Sequence, residues 1–143
     1  MELVRYNKQQ HESLLLHYVS RRDLDRYENN GKYRLLSLLG IYHSDFYVLV
    51  NKQEIIGFIL IRTKLSKTYP KASWIYDVFI VPEHRGKGYS KQLMQLAIDK
   101  CTYPHVYLYV HENNTVALGL YERMGFYEVG KLKDEKLLRY DKV

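Results

Sequence analysis

The stretch Trp74-Ile75-Tyr76-Asp77-Val78-Phe79-Ile80-Val81-Pro82-Glu83-His84-Arg85-Gly86-Lys87-Gly88-Tyr89-Ser90 runs from an apolar segment, through a proline, into a basic glycine-rich turn. Residues 72–81 are apolar at nearly every position, which suits a strand buried on both faces. Pro82 stops it. Beyond the turn, Leu93, Met94, Ala97, Ile98 and Cys101 fall on one helical stripe. A strand, a glycine turn and a helix start make an anion site. Glycines remove side-chain bulk, so backbone N–H groups can converge on one cavity. The helix adds its unpaired first-turn N–H groups and the positive end of its dipole. Arg85, Lys87 and Lys91 surround the turn with positive charge.

Working outward, residues 105–111 alternate as a strand, with Val106, Leu108 and Val110 facing one way. Asn113 and Asn114 open a further helix, with Ala117, Leu120, Tyr121 and Met124 in phase and Gly125 as its C-terminal residue. Residues 126–130 and 137–141 read as closing strands. Upstream, residues 3–6 read as a short strand and residues 9–20 as a helix. Asp23 is placed to cap a second helix carrying Leu24 and Tyr27, broken near Asn29-Asn30-Gly31. A third segment holds Leu35, Leu38 and Leu39, with Gly40 as its stop. Residues 46–50 and 55–62 flank a turn and read as an antiparallel hairpin. A polar loop follows over residues 64–71. Strand-helix-strand across the glycine turn demands a locally parallel pair, while the remaining order looks antiparallel. The sheet is therefore mixed, with helices packed on it.

Spacing alone does not name the anion. The P-loop needs a Lys-Ser/Thr pair after its last glycine, and the dinucleotide fingerprint needs a third glycine; both are missing. Arg85-x-x-Gly88-x-Ser90, within Val81-Pro82-Glu83-His84-Arg85-Gly86-Lys87-Gly88, resembles the signature of the GNAT superfamily of N-acetyltransferases. Asn114-x-x-Ala117-x-x-Leu120-Tyr121-x-x-x-Gly125-Phe126 resembles the second coenzyme A motif of that family. The motifs stand in the family's order, and together they cover about residues 72–130. Ser90 departs from the usual Gly or Ala, but its small side chain still allows close approach of a phosphate.

The resemblance implies an α/β (α+β) fold with a mixed, mostly antiparallel central sheet of about six to seven strands and helices on both faces. It implies one acetyl-coenzyme A-dependent domain over residues 1–143. Arg85, Gly86, Lys87, Gly88, Tyr89, Ser90 and Lys91 would hold the pyrophosphate. Val78, Phe79 and Ile80 would bond the pantetheine arm through their backbone, and an exposed N–H there would polarise the thioester carbonyl. Asn114 matches the asparagine that contacts the cofactor arm, and is equally suited to capping its own helix. Tyr121 matches the tyrosine that protonates the departing thiolate; otherwise it is a core aromatic. Asp77, a carboxylate in an apolar strand, is the first choice for the base, with His111 and Glu112 behind it; it could equally be a hydrogen-bonded structural carboxylate. Some family members place a glutamate where Tyr109 stands, so that base is absent.

Bulk properties fit this picture. The 143 residues are 46% hydrophobic and 27% charged, with a formal net charge of +6 that suits an anionic partner. No apolar run approaches the roughly 20 residues of a membrane span. Residues 1–6 lack the pattern of a signal peptide, so cytoplasm is the expected location. The single cysteine, Cys101, reads as core. No Cys/His cluster has zinc spacing, and no metal is expected. The expected function is acetyl transfer from acetyl-CoA to a primary amine on a small molecule or peptide, with room for a homodimer. A non-catalytic coenzyme A sensor or subunit would carry the same motifs. A nucleic-acid binder ranks last, since no run of like charges or aromatic signature supports it.

Overall fold

The computed structural model describes residues 1–29, 42–64 and 71–142. Their elements are β1 (Glu2–Arg5), α1 (Lys8–Leu15), α2 (Arg21–Asn29), β2 (Tyr42–Asn51), β3 (Glu54–Lys64) and β4 (Ala72–Ile80). A 3₁₀ turn (Pro82–His84) follows, then α3 (Tyr89–Lys100), β5 (His105–His111), α4 (Thr115–Met124), β6 (Tyr127–Leu132) and β7 (Glu135–Asp141). The expected helical segment around Leu35 to Gly40 and the loop at residues 65–70 lie outside the described residues.

The strands form one seven-stranded sheet in the order β1-β2-β3-β4-β5-β7-β6. Among the described residues, only β4 and β5 pair in parallel; every other neighbour is antiparallel. The mixed, mostly antiparallel sheet expected from the sequence is therefore present. Alternation along β2 and β3 sends side chains to two separate layers. Tyr47, Leu49, Ile59 and Ile61 pack with Leu93, Met94, Ala97 and Ile98 of α3 and Leu118 and Tyr121 of α4. Phe46, Val48, Phe58 and Leu60 pack on the other face with Leu15 of α1 and Leu24 and Tyr27 of α2. Helices thus cover both faces. Each large side chain buried this way contributes about 1.5–3 kcal/mol. Cys101 closes the α3 stripe at 3% exposure, its thiol donating to the Ala97 carbonyl at 3.3 Å. Burial pushes that thiol up to about 11, so it is core and not a nucleophile.

Local boundaries differ from the sequence expectation at three places. The first helix ends at Leu15, not near Ser20, because the chain tightens there: the N–H groups of His17 and Tyr18 reach back three residues, to Leu14 and Leu15. The cap of α2 is Ser20, whose hydroxyl accepts from the Asp23 N–H at 3.1 Å; Asp23 sits inside the first turn. The largest difference is in β4. Ala72 to Ile75 are buried as expected, but Asp77 is exposed and its neighbours are half-buried.

The cause is a β-bulge. Leu60 pairs with Tyr76 and Phe58 with Phe79, so Asp77 and Val78 both lie opposite Ile59. Asp77 takes a left-handed conformation, φ 53°, to accommodate the extra residue. The extra residue also resets the alternation. Val78 and Ile80, not Phe79, share the α3 face with Ile75, and Phe79 turns to the α2 face. Pairing with β5 covers only Ala72, Ser73 and Trp74, so the two parallel strands separate beyond that point.

The bulge also brings β4 against Gly57. A methyl group at Gly57 would overlap the Phe79 carbonyl oxygen and lie 3.2 Å from Ile80 Cα. Gly57→Ala should therefore destabilise the protein by about 1–3 kcal/mol, read as a lower denaturation midpoint. An unchanged midpoint would contradict this register.

Candidate active site

The turn after β4 is built around two left-handed glycines, Gly86 (φ 77°) and Gly88 (φ 81°). A Cβ at either would meet nothing within 4 Å, so the requirement is backbone conformation, not space. Gly88 is the N-cap of α3 and offers no side chain to its first-turn N–H groups, and that turn carries no acidic residue. These donors are left for a ligand.

Arg85 does not simply add charge. Its Nε donates to the Ile80 carbonyl at 2.8 Å, and its guanidinium lies 5.2 Å from the Phe79 ring centre. It staples the turn to the end of β4. His84 stacks edge-on against Tyr89, and its Nε2 pairs with Glu54 at 2.7 Å, tying the turn to the start of β3.

A cleft of about 410 Å³ opens over this turn. It is walled by Val78 and Ile80 of β4, by Arg85, Gly86, Gly88, Tyr89, Ser90 and Lys91, and by Asn114 and Tyr121 of α4. Two of the expected cofactor-binding residues lie outside its lining, Phe79 and Lys87. For Phe79 the reason is the bulge. The Val81 N–H bonds the Ile56 carbonyl of β3, so by strand alternation Phe79 also points its polar groups at β3 while Val78 and Ile80 present theirs to the cleft.

Where β4 and β5 part, a second cleft of about 300 Å³ is lined by Asp77, Val78, Tyr109, His111, Asn114, Tyr121 and Glu135, among others. Val78, Asn114, Ala117 and Tyr121 belong to both clefts. Tyr121 is 9% exposed, and burial raises its phenol above the ordinary value of 10.0. Asn114 is the N-cap of α4: its Oδ1 accepts from the Ala117 N–H at 3.2 Å, which leaves its amide nitrogen for a ligand. Asp77 lies 3.9 Å from the Arg62 guanidinium, a loose ion pair. Of the alternative bases, His111 lines the second cleft, its Nδ1 accepting from the Asn113 N–H at 3.1 Å. Glu112 is salt-bridged to Lys131 and lies outside that lining.

Sequence reasoning passed over Val116, Arg123 and Glu135. Val116 is 83% exposed at the edge of the first cleft. An apolar residue off the core stripe of α4 was the available signal. Arg123, on the same helix, also lines that cleft. Glu135 reaches the second cleft only because β7 pairs with β5, bringing it opposite His111.

The family model described as Acetyltransferase (GNAT) family matches residues 9–126. The spermidine N(1)-acetyltransferase of Vibrio cholerae serotype O1 is 32% identical over 94 residues, covering 63% of this chain and 53% of that protein. The chain thus spans about half the length of that relative. An N-alpha-acetyltransferase of Sulfurisphaera tokodaii is 28% identical over 117 residues, covering 74% of this chain and 70% of the relative. Among solved structures, a chain of the NatC complex bound to Gag peptide and CoA superposes with a TM-score of 0.67 at 22% identity, over 100% of both chains. The paia N-acetyltransferase of Thermoplasma acidophilum in complex with coenzyme A gives 0.64 at 18% identity, over 98% of each. At those identities the two structures speak for the fold. The glycine turn, the parted parallel strands and a family match over most of the sequence agree, and this chain belongs to the GNAT acetyltransferase family.

Proposed function

We propose that this protein transfers an acetyl group from acetyl-CoA to a primary amine by direct attack. The observation that carries the reading is the position of Tyr121 in the wall of both clefts. One cleft has the groups for the cofactor, the other has room for the acceptor, and the phenol stands where they meet.

The residues present suit coenzyme A. Uncapped N–H groups at Gly88 and the start of α3 would bond the pyrophosphate, with Lys91 adding charge. Val78 and Ile80 would bond the pantetheine arm, and the exposed Val116 would be covered by it. Acetyl-CoA supplies an acetyl group activated as a thioester. The acceptor nitrogen forms the new C–N bond as the C–S bond breaks. A β4 N–H facing the cleft stabilises the carbonyl oxygen as it gains charge. Tyr121 gives its proton to the leaving sulfur. Asp77 takes the proton that the amine must lose, through water, since a lysine-like amine has a pKa of about 10.4.

Asp77 and Glu135 also make the acceptor cleft acidic, which favours a cationic amine. Polyamines and peptide N-termini, the acceptors suggested by the names of the relatives, both qualify.

Tyr121→Phe should lower turnover by about 10²–10⁴-fold while leaving the affinity for acetyl-CoA nearly intact. Turnover is read as thiol release across a panel of amines; unchanged turnover would remove Tyr121 from the mechanism. Tight cofactor binding with no release from the unaltered protein would instead favour a binding module. The pH profile gives a second check. Burial raises the Tyr121 pKa, so the protonated acid persists to higher pH. The kcat profile should show no alkaline fall from this group up to about pH 10. A fall well below that value which disappears in Tyr121→Phe would contradict the assignment.

A further inference from the structure

Arg62 of β3 is a largely buried charge that the acetyl-transfer scheme leaves unused. Its side chain is 14% exposed, and its Nε is buried with no hydrogen-bond partner among the described residues. It pairs with Trp74 in the β3–β4 register, two positions from the Leu60–Tyr76 pair, so it lies on the same face of the sheet as Tyr76. The guanidinium lies 4.4 Å from the centre of the Tyr76 ring, and its Nη2 lies 3.9 Å from Oδ2 of Asp77. Tyr76 and Asp77 both line the cleft proposed for the acceptor, and Arg62 does not. It stands behind that wall and contacts two of its members.

Stability does not account for this arrangement. Removing a guanidinium from water is costly, and a pair at 3.9 Å is too long for the charge-assisted hydrogen bond that would offset the cost. Asp77 does not need a structural partner either, since its side chain is 31% exposed and water can solvate it. What Asp77 needs is a direction. It is the extra residue of the bulge, at φ 53°, and among the described residues no hydrogen bond holds its carboxylate. Arg62 has a direction, because its planar group is laid on the Tyr76 ring. The other titratable groups near Asp77 are Tyr27 of α2, whose phenol is raised by burial and then by the Asp77 charge, and His111, Glu135, Tyr109 and Tyr121 in the cleft lining.

We infer that Arg62 is the positioning residue for proton removal: stacked on Tyr76, it holds the Asp77 carboxylate toward the acceptor cleft without touching the acceptor. The inference rests on the acetyl-transfer reading above. The proton leaves the acceptor nitrogen, passes through water and ends on an Asp77 oxygen. A separation of 3.9 Å is close enough to orient the carboxylate by its charge, and long enough to leave its oxygens for that water. The Arg62 charge has a second effect. A carboxylate alone would hold the acceptor as a tight ammonium pair, and an ammonium nitrogen has no lone pair with which to attack. A cation behind the carboxylate weakens that grip, lowering acceptor affinity and favouring turnover.

The test is steady-state kinetics of the full chain with acetyl-CoA and the better of two acceptors, spermidine and a short peptide with a free N-terminus. Arg62→Gln should lower kcat by about tenfold to a hundredfold, with KM for the amine unchanged or lower and the denaturation midpoint held. Arg62→Lys, which keeps the charge but not the planar stack, should recover part of the loss. In an Asp77→Asn background, Arg62→Gln should cost nothing further, because its effect runs through that carboxylate. Unchanged kcat in Arg62→Gln, losses that multiply in the double variant, or a loss of kcat matched by a fall in midpoint and a rise in KM would each overturn the positioning role, while leaving the Asp77→Asn effect in place. Normal turnover in Asp77→Asn would remove the base and the role of Arg62 together. If the unaltered protein acetylates neither amine, the acetyl-transfer reading itself fails and the role of Arg62 falls with it.

Discussion

Asp77 and Val78 share one partner residue on β3, and the working parts of the molecule depend on that mismatch. A strand in regular register would stay paired with β5 and keep its backbone groups satisfied. The extra residue bends β4 and ends the parallel ladder at Trp74. Beyond that point one edge of β4 is no longer held by β5, and polar backbone without a strand partner seeks a ligand or water. The same bulge turns Val78 and Ile80 toward the layer that holds α4, the helix that carries Asn114 and Tyr121. Fold and proposed site are therefore one feature: the sheet opens beside Tyr121.

The glycine turn is held from several sides. Arg85 binds it to Ile80, His84 to Glu54, and Tyr18 reaches Glu83 at 3.0 Å from the segment between α1 and α2. The Tyr18–Glu83 bond joins the helical layer on the α2 face to the cofactor turn. These contacts use side-chain groups, while the N–H groups at the start of α3 stay uncapped. A turn that must grip an anion needs this division, because a donor already satisfied within the protein has little to give a ligand.

Charge is distributed to match. The net charge of +6 is not gathered into one patch. The cleft proposed for the cofactor is lined by Arg85, Lys91 and Arg123, whereas the one proposed for the acceptor holds Asp77 and Glu135. An anionic cofactor and a cationic acceptor would thus meet at Tyr121 from sides of opposite sign. Burial keeps that phenol in its neutral, proton-bearing form between them.

Much of this was legible in the residues. Periodicity located α3, α4 and the β2–β3 hairpin, since apolar spacing follows directly from helix and strand geometry. The two motifs, Arg85 to Ser90 and Asn114 to Phe126, identified the family because their glycines and small residues answer to local backbone needs. What stayed hidden was non-local. The sequence of β4 reads as one apolar run, and nothing in it marks the residue at which β3 forces a bulge. Hence Phe79 was expected at the cleft and faces β3 instead. Glu135 and Arg123 became site residues only through strand pairing and helix packing. Sequence by itself determined which segments are helix, strand and turn, and which turn can hold an anion, because those depend on neighbours along the chain. Tertiary structure decided which side chains meet at Tyr121, because register and splay are set by contacts between strands that are distant in sequence.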